Sequence, residues 1–281
     1  MIYAEGDIID GKSKQGTIGS ETYRNLVRKA RLDKTIKAIV FRVNSGGGSS
    51  LASENIWREL SLAKQEKPVV VSFGDVAASG GYYISCAADS IFALPTTITG
   101  SIGVFGIIPN MEGFFKNKLG ITFDGVKTGP YADAGSITKP MNENEKKMIQ
   151  AEINMIYAQF KQRVADGRKM DTAFVDSIAQ GRVWTGMRAK EIGLIDRFGG
   201  IDEAVKCAGR MAKLTDYQLK EYPAPENFLD QLLGRKEPMN YASKIREEMG
   251  EENYKLYLEL KRIKEMTGSV QARLPFQFFI H

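Results

Sequence analysis

The sequence predicts an α/β fold built on a mostly parallel sheet, and three features carry that reading. Short apolar runs of strand length alternate with segments of helical periodicity. Two of those runs end in turns of small residues that lead into helices, as in a right-handed crossover between neighbouring parallel strands. With 281 residues, 43% of them hydrophobic, the chain can hold one large or two small domains with an ample core.

The first strand is expected at residues 2–4, where the chain enters the core at once, with no linker or signal segment expected ahead of it. Further apolar runs predict strands near 38–43, 69–72, 91–93, 102–104 and 121–123. Helical spacing predicts helices near 21–30, 51–64, 82–88 and 113–118. Glu143 opens a longer helix behind Asn142 as N-cap. Its apolar stripe of Ile149, Ile153, Ile156, Tyr157, Phe160 and Val164 reads as core or subunit interface, and Gly167 is expected to end it. After Ala212 the character changes, so residues 1–212 are expected to form the main domain and 213–281 a C-terminal extension for packing or oligomerisation. Pro223-Ala224-Pro225 punctuates that extension. A charged helix over 247–264 carries Tyr254, Leu256, Tyr257 and Leu260, which need a surface to pack on. The apolar segment 274–280 is expected to dock on the protein body rather than stay exposed.

Composition excludes several function classes. A net charge of +5, with lysines interspersed among acids, describes a solvated surface and not a nucleic-acid groove. Cys86 and Cys207 are too few for a disulfide framework, and Cys86 lies in an apolar helical segment as core. One histidine and two scattered cysteines supply no metal-ligand cluster, and no cofactor motif is present. The longest apolar runs fall short of the roughly 20 residues of a membrane span.

The chemistry concentrates in two turns. Gly74-Asp75-Val76-Ala77-Ala78-Ser79-Gly80-Gly81-Tyr82-Tyr83 places a serine among small residues between a strand and a helix. Small neighbours let the backbone turn sharply and let a carbonyl approach the hydroxyl. The same pattern would also serve tight packing of a helix on a sheet. A serine needs a base, and the only histidine is His281, the last residue, so a Ser-His-Asp triad is excluded and a lysine is the expected base. The second turn, Asn44-Ser45-Gly46-Gly47-Gly48-Ser49-Ser50, exposes backbone N–H groups suited to an anion or a developing oxyanion. It fits neither phosphate-loop pattern.

These residues resemble a known family. The 42–49 and 74–83 motifs, together with Leu94-Pro95-Thr96-Thr97-Ile98-Thr99-Gly100-Ser101-Ile102-Gly103-Val104, are similar to the signal peptide peptidase A family, peptidase family S49, of the Clp-protease/crotonase superfamily. The resemblance spans about residues 2–212 and implies a repeated ββα spiral, closed by a strand, short helix and return strand over 180–196 that is expected to carry no chemistry. It implies Ser79 as nucleophile, the N–H groups of Gly47 and Gly80 as oxyanion hole, and Ser101 as the residue that orients a general-base lysine. Gly46 stands where the family usually has proline.

The base is the larger departure. In short family members a lysine follows the strand corresponding to residues 121–127, but here Ala132 stands at that position. The chain resembles the C-terminal repeat of a long, two-repeat member, in which the lysine comes from the N-terminal repeat and so is not in this chain. The resemblance further implies membrane-retained signal peptides as substrates, the extracytoplasmic face of the bacterial cytoplasmic membrane as location, and a homo-oligomer, tetrameric in long members. Two other readings stand beside it: a crotonase-like acyl-CoA enzyme, and a non-catalytic subunit whose serine turn is vestigial.

Overall fold

The computed structural model describes residues 1–223, 249–250, 253–254, 256–258, 260–261, 263–264 and 266–274. The chain opens with β1 (Ile2–Glu5), β2 (Asp7–Ile9), β3 (Thr17–Gly19) and α1 (Ser20–Leu32). It continues with β4 (Ile39–Ser45), β5 (Gly47–Ser49), α2 (Ser50–Lys64), β6 (Val69–Ala78) and α3 (Gly80–Ser85). Then come β7 (Ser90–Ala93), β8 (Ile98–Gly100), β9 (Phe105–Gly106), and α4 (Glu112–Phe114) running into a π-helical turn, Phe115–Leu119. The remainder is α5 (Glu143–Arg168), α6 (Thr172–Ile178), β10 (Val183–Thr185), α7 (Gly186–Glu191), β11 (Arg197–Phe198), α8 (Ile201–Met211) and β12 (Val270–Arg273).

Two sheets organise these elements. The larger has the order β1-β4-β6-β7-β11, with β8 beside the far end of β6 and β10 beyond it. Every pairing in it is parallel except β10 with β8. The smaller sheet has the order β3-β2-β5-β12-β9. The order strand, strand, helix repeats: β1, β2 and α1 (with β3 inserted), then β4, β5 and α2, each placing its first strand in the large sheet and its second in the small one. The fold is thus α/β with a mostly parallel sheet, as the alternation of apolar runs predicts.

The large sheet is covered on both faces, which is why its strands are nearly continuous apolar runs. Val40, Val70 and Phe92 pack with Ala204, Cys207 and Ala208 of α8. Their alternates Phe41, Val43, Val71 and Phe73 join the main core, which includes Tyr23, Ile56 and Tyr82 from α1, α2 and α3.

Three expectations are corrected. Residues 102–104 form no strand; Ser101 turns at φ 49° and the following chain is held against the 180–182 loop, with Gly181 N–H donating to Ile102 O. Residues 121–123 form no strand either, and Ile121 and Phe123 are exposed, the Phe123 ring meeting Phe115 edge-on at 5.0 Å between centroids. Gly167 lies inside α5, which ends at Arg168 with Lys169 left-handed at φ 54°. Its glycine serves packing: a Cβ there would lie 2.3 Å from the Cys86 carbonyl oxygen. Asn142 does cap α5, in a reciprocal box with Glu145. Along its stripe only Phe160 and Val164 are buried; the earlier members are half-buried where the helix leaves the core.

The described residues between 249 and 266 are helical, with Leu256 and Leu260 exposed. Leu274 is buried, and its N–H donates to Gly46 O at 2.9 Å. Ala224, Pro225 and 275–280 lie outside the described residues.

Candidate active site

The site begins with a change of partner along one strand. Over its first residues β6 pairs with β4 and β7; over Val76–Ala78 it pairs with Ile98–Gly100 of β8. Hydroxyls fasten this second pairing, Thr99 Oγ1 to Ala77 O at 2.7 Å and Thr97 Oγ1 to Gly74 O at 2.9 Å. Ser79 follows at φ 52°, ψ −115°, a backbone state that costs a non-glycine residue on the order of 1–3 kcal/mol. Its N–H donates to Gly100 O, and its carbonyl accepts from Tyr83 N–H, both at 2.8 Å.

α3 is locked behind it. Tyr82 donates to Leu194 O at 2.8 Å, and Tyr83 donates to Glu54 Oε2 at 2.6 Å. Burial pushes both phenols well above their ordinary pKa, so they remain neutral donors. Ser79 itself is buried, and the partner of its Oγ is Gly103 O at 3.4 Å, a weak contact that leaves the hydroxyl available.

The second turn meets the first through its glycines. Gly47 has φ 99°, and a Cβ there would lie 2.7 Å from Gly80 N; a Cβ on Gly80 would lie 3.0 Å from Gly47 Cα. Only two glycines allow this approach. Gly80 is the first residue of α3, so its N–H has no intrahelical acceptor. The Gly47 N–H donates to Ser45 Oγ at 3.1 Å, and Ser45 in turn donates to Gly6 O at 2.7 Å. Ser45 is a residue that sequence reasoning missed, because its role depends on the loop's folded shape.

Ser101 stands one residue beyond the Gly100 carbonyl that holds Ser79. It is buried at φ 49°, with its N–H on Arg182 O at 2.7 Å. The 180–196 segment supplies the expected strand and short helix, β10 and α7, while the return strand, β11, falls just beyond it at Arg197–Phe198. The segment also buttresses the site, since β10 pairs with β8 and a Cβ on Gly100 would lie 2.6 Å from the Trp184 ring. Ser79, Gly80, Gly47 and Ser101 are therefore gathered at one junction of the two sheets.

No lysine nitrogen hydrogen-bonds to Ser79 or Ser101 among the described residues. Lys127 and Lys139 both bind Asp133 at 2.8 Å, and Lys139 also reaches Glu145 at 3.2 Å. The two lysines hold the Asp133 carboxyl down to about 2, and hydrogen bonding to Asp133 raises the Lys139 ammonium above its ordinary value. That is the opposite of what a neutral lysine base requires. Among the described residues no helix is long and apolar enough to cross a membrane.

The chain is also similar to known proteins. The model of peptidase family S49 matches residues 61–215. "Protease 4" of Salmonella typhi is 46% identical over 98% of this chain and 40% of its own length. "Serine protease SPPA, chloroplastic" of Arabidopsis thaliana is 36% identical over 76% of this chain and 32% of its own. "Putative signal peptide peptidase SppA" of Enterococcus faecium is 38% identical over 72% of this chain and 59% of its own. This chain thus spans 40% or less of the length of the first two. Among solved structures, a ClpP1 mutant of Listeria monocytogenes covers 71% of this chain at a TM-score of 0.48 and 15% identity. By the family match and by its identity to Protease 4 along nearly its whole length, the chain belongs to peptidase family S49.

Proposed function

We propose that this chain carries the nucleophile of a Ser-Lys endopeptidase and takes its general base from outside itself. The observation that carries the reading is Ser79: a serine in a strained turn, packed beside two close-approaching glycines, its hydroxyl held only by a weak contact to Gly103 O. Ser79 Oγ attacks the scissile carbonyl while a neutral lysine accepts its proton. Burial in an apolar pocket keeps that lysine below its reference pKa of roughly 10.4. The N–H groups of Gly80 and Gly47 receive the oxyanion, Gly47 after leaving Ser45; one such donor is worth about 2.7–4 kcal/mol of barrier. Ser101 aims the lysine. The proton then passes to the departing amine, leaving an acyl-enzyme that water hydrolyses.

The lysine comes from an N-terminal repeat like that of long family members, a view supported by the short span of this chain on its relatives. The substrates are signal peptides retained in the membrane after their release from preproteins. The full-length protein works as a homo-oligomer, a tetramer, at the extracytoplasmic face of the bacterial cytoplasmic membrane. No cofactor takes part.

The test is Ser79→Ala in the complete enzyme. Hydrolysis of a fluorogenic peptide is expected to fall by about 10³-fold or more, with the unfolding midpoint unchanged. Retained turnover, with contaminating proteases excluded, refutes the nucleophile; it is also the outcome a crotonase-like enzyme would give.

A further inference from the structure

One strand of the small sheet comes from far away in sequence and lies directly against the serine turn. β12 pairs antiparallel with β5 on one side, Arg273 opposite Gly47, Ala272 opposite Gly48 and Gln271 opposite Ser49. On its other side it pairs antiparallel with β9, Gln271 opposite Phe105 and Val270 opposite Gly106. β5 and β9 do not pair with each other, so they bound a slot one strand wide. A Cβ on Gly47 would lie 2.1 Å from the Ala272 carbonyl oxygen, and one on Gly80 2.8 Å from it. A strand placed in this slot therefore passes over both glycines of the candidate oxyanion hole.

The slot also reads a side chain. Arg273 is only 8% exposed and its guanidinium forms an ion pair with Asp7 of β2. β2 lies beyond β5, and opposite Arg273 β5 carries Gly47, so no β5 side chain stands between the arginine and the carboxylate. Asp7 is thus placed to pair with a cation carried by whatever strand fills the slot.

We propose that the slot between β5 and β9 is the peptide-binding groove of the Ser79 site, that β12 is its intramolecular occupant, and that Asp7 is a specificity-determining residue favouring substrates with arginine or lysine at the position facing Gly47. The inference deepens the proposed protease reading and rests on it for the link to cleavage. An extended peptide gains main-chain hydrogen bonds from two strand edges at once, and its alternate side chains supply selectivity. The charge-assisted pair with Asp7 supplies that selectivity here. A tethered occupant competes at an effective concentration in the millimolar range, so β12 must leave before a free peptide binds. With β12 docked, the Gly47 N–H is engaged by Ser45 Oγ at 3.1 Å, so the strand fills the groove with that donor turned away.

The experiment uses the full chain carrying Ser79→Ala, so that binding is read without turnover. Two fluorescein-labelled peptides serve as probes, Ser-Val-Gln-Ala-Arg-Leu and the same peptide with leucine in place of arginine. Ala272→Pro removes an N–H from the middle of β12 and is expected to raise affinity for the arginine peptide about tenfold or more. Adding Asp7→Asn is expected to return that peptide to weak binding, leave the leucine peptide within about twofold, and be rescued by Asp7→Glu. Hydrogen exchange supplies a second readout: amides of 270–273 should be protected in the parent, and excess arginine peptide should abolish that protection while β4 and β6 stay protected. Unprotected β12 amides in the parent, or peptide affinity unmoved by Ala272→Pro in a folded chain, overturn the occupied groove. Equal weakening of both peptides by Asp7→Asn overturns the selectivity. None of these readouts needs Ser79 to be the nucleophile, so the two proposals fail separately.

Discussion

Ser79 and Ser101 share a left-handed backbone that residues with a Cβ avoid, φ 52° and φ 49°, and they are linked through the Gly100 carbonyl that accepts from Ser79 N–H. Strain repeated at two serines, one directly after β6 and the other directly after its partner β8, marks a place where the backbone is held by its surroundings. Replacing Ser101 by alanine keeps the φ demand and removes only the hydroxyl. We expect Ser101→Ala to reduce kcat of the complete enzyme strongly with KM nearly unchanged, since the substrate slot is untouched and only the base loses its aim. An unaltered kcat would remove Ser101 from the mechanism. Ser79, Gly47 and Gly80 were legible in the sequence as parts of small-residue turns at strand ends, and Ser101 only through the family resemblance. Ser45 and Asp7 were not: Ser45 meets the Gly47 N–H and Gly6 O only in the folded loop, and Asp7 meets Arg273 only when β5 lies between β2 and β12.

Among the elements, α5 shows where sequence periodicity succeeds and where it stops. Its Asn142 N-cap and its start at Glu143 follow from local chemistry and were read from the sequence, while the reciprocal contact of Glu145 that completes the capping box is added by the structure. Its end does not, because Gly167 reads as a terminator but functions as a point of contact with the α3 end. Gly167→Ala puts a methyl group 2.3 Å from the Cys86 carbonyl, a rigid backbone atom. We expect it to destabilise the chain by about 1–3 kcal/mol in denaturant unfolding, although alanine is the better helix former. A stabilised variant would mean that α5 is free to shift. The two apolar triplets misread as strands fail for a related reason. Strand identity belongs to pairs, and neither 102–104 nor 121–123 finds a partner edge.

At the scale of the whole molecule, alternation of apolar runs was enough to announce a parallel α/β sheet, but not the second sheet whose short strands run partly through glycines. The two lysines nearest the expected base position are unsuited to the proposed chemistry. Lys127 and Lys139 are tied to Asp133. We therefore expect the purified chain to fold and to show only residual peptide hydrolysis, unaffected by Lys127→Ala or Lys139→Ala. Hydrolysis should appear when a lysine-bearing N-terminal repeat is supplied in cis or in trans. Robust activity of the chain alone, lost in either lysine variant, would place the base inside it.

The central position of β6 has a consequence for time. It is flanked by β4 on one side and by β7 and β8 on the other, so the strand that mounts Ser79 comes apart only when the entire domain unfolds. β12 belongs to the opposite regime, because lifting it out disturbs two strands of three and two residues and none of the large sheet. In the proposed enzyme the nucleophile is then a permanent fixture over many turnovers, while the proposed admission to it is renewed each time a peripheral strand lets go. Evolution can adjust how often that happens by changing residues 270–273 alone, without touching the chemistry.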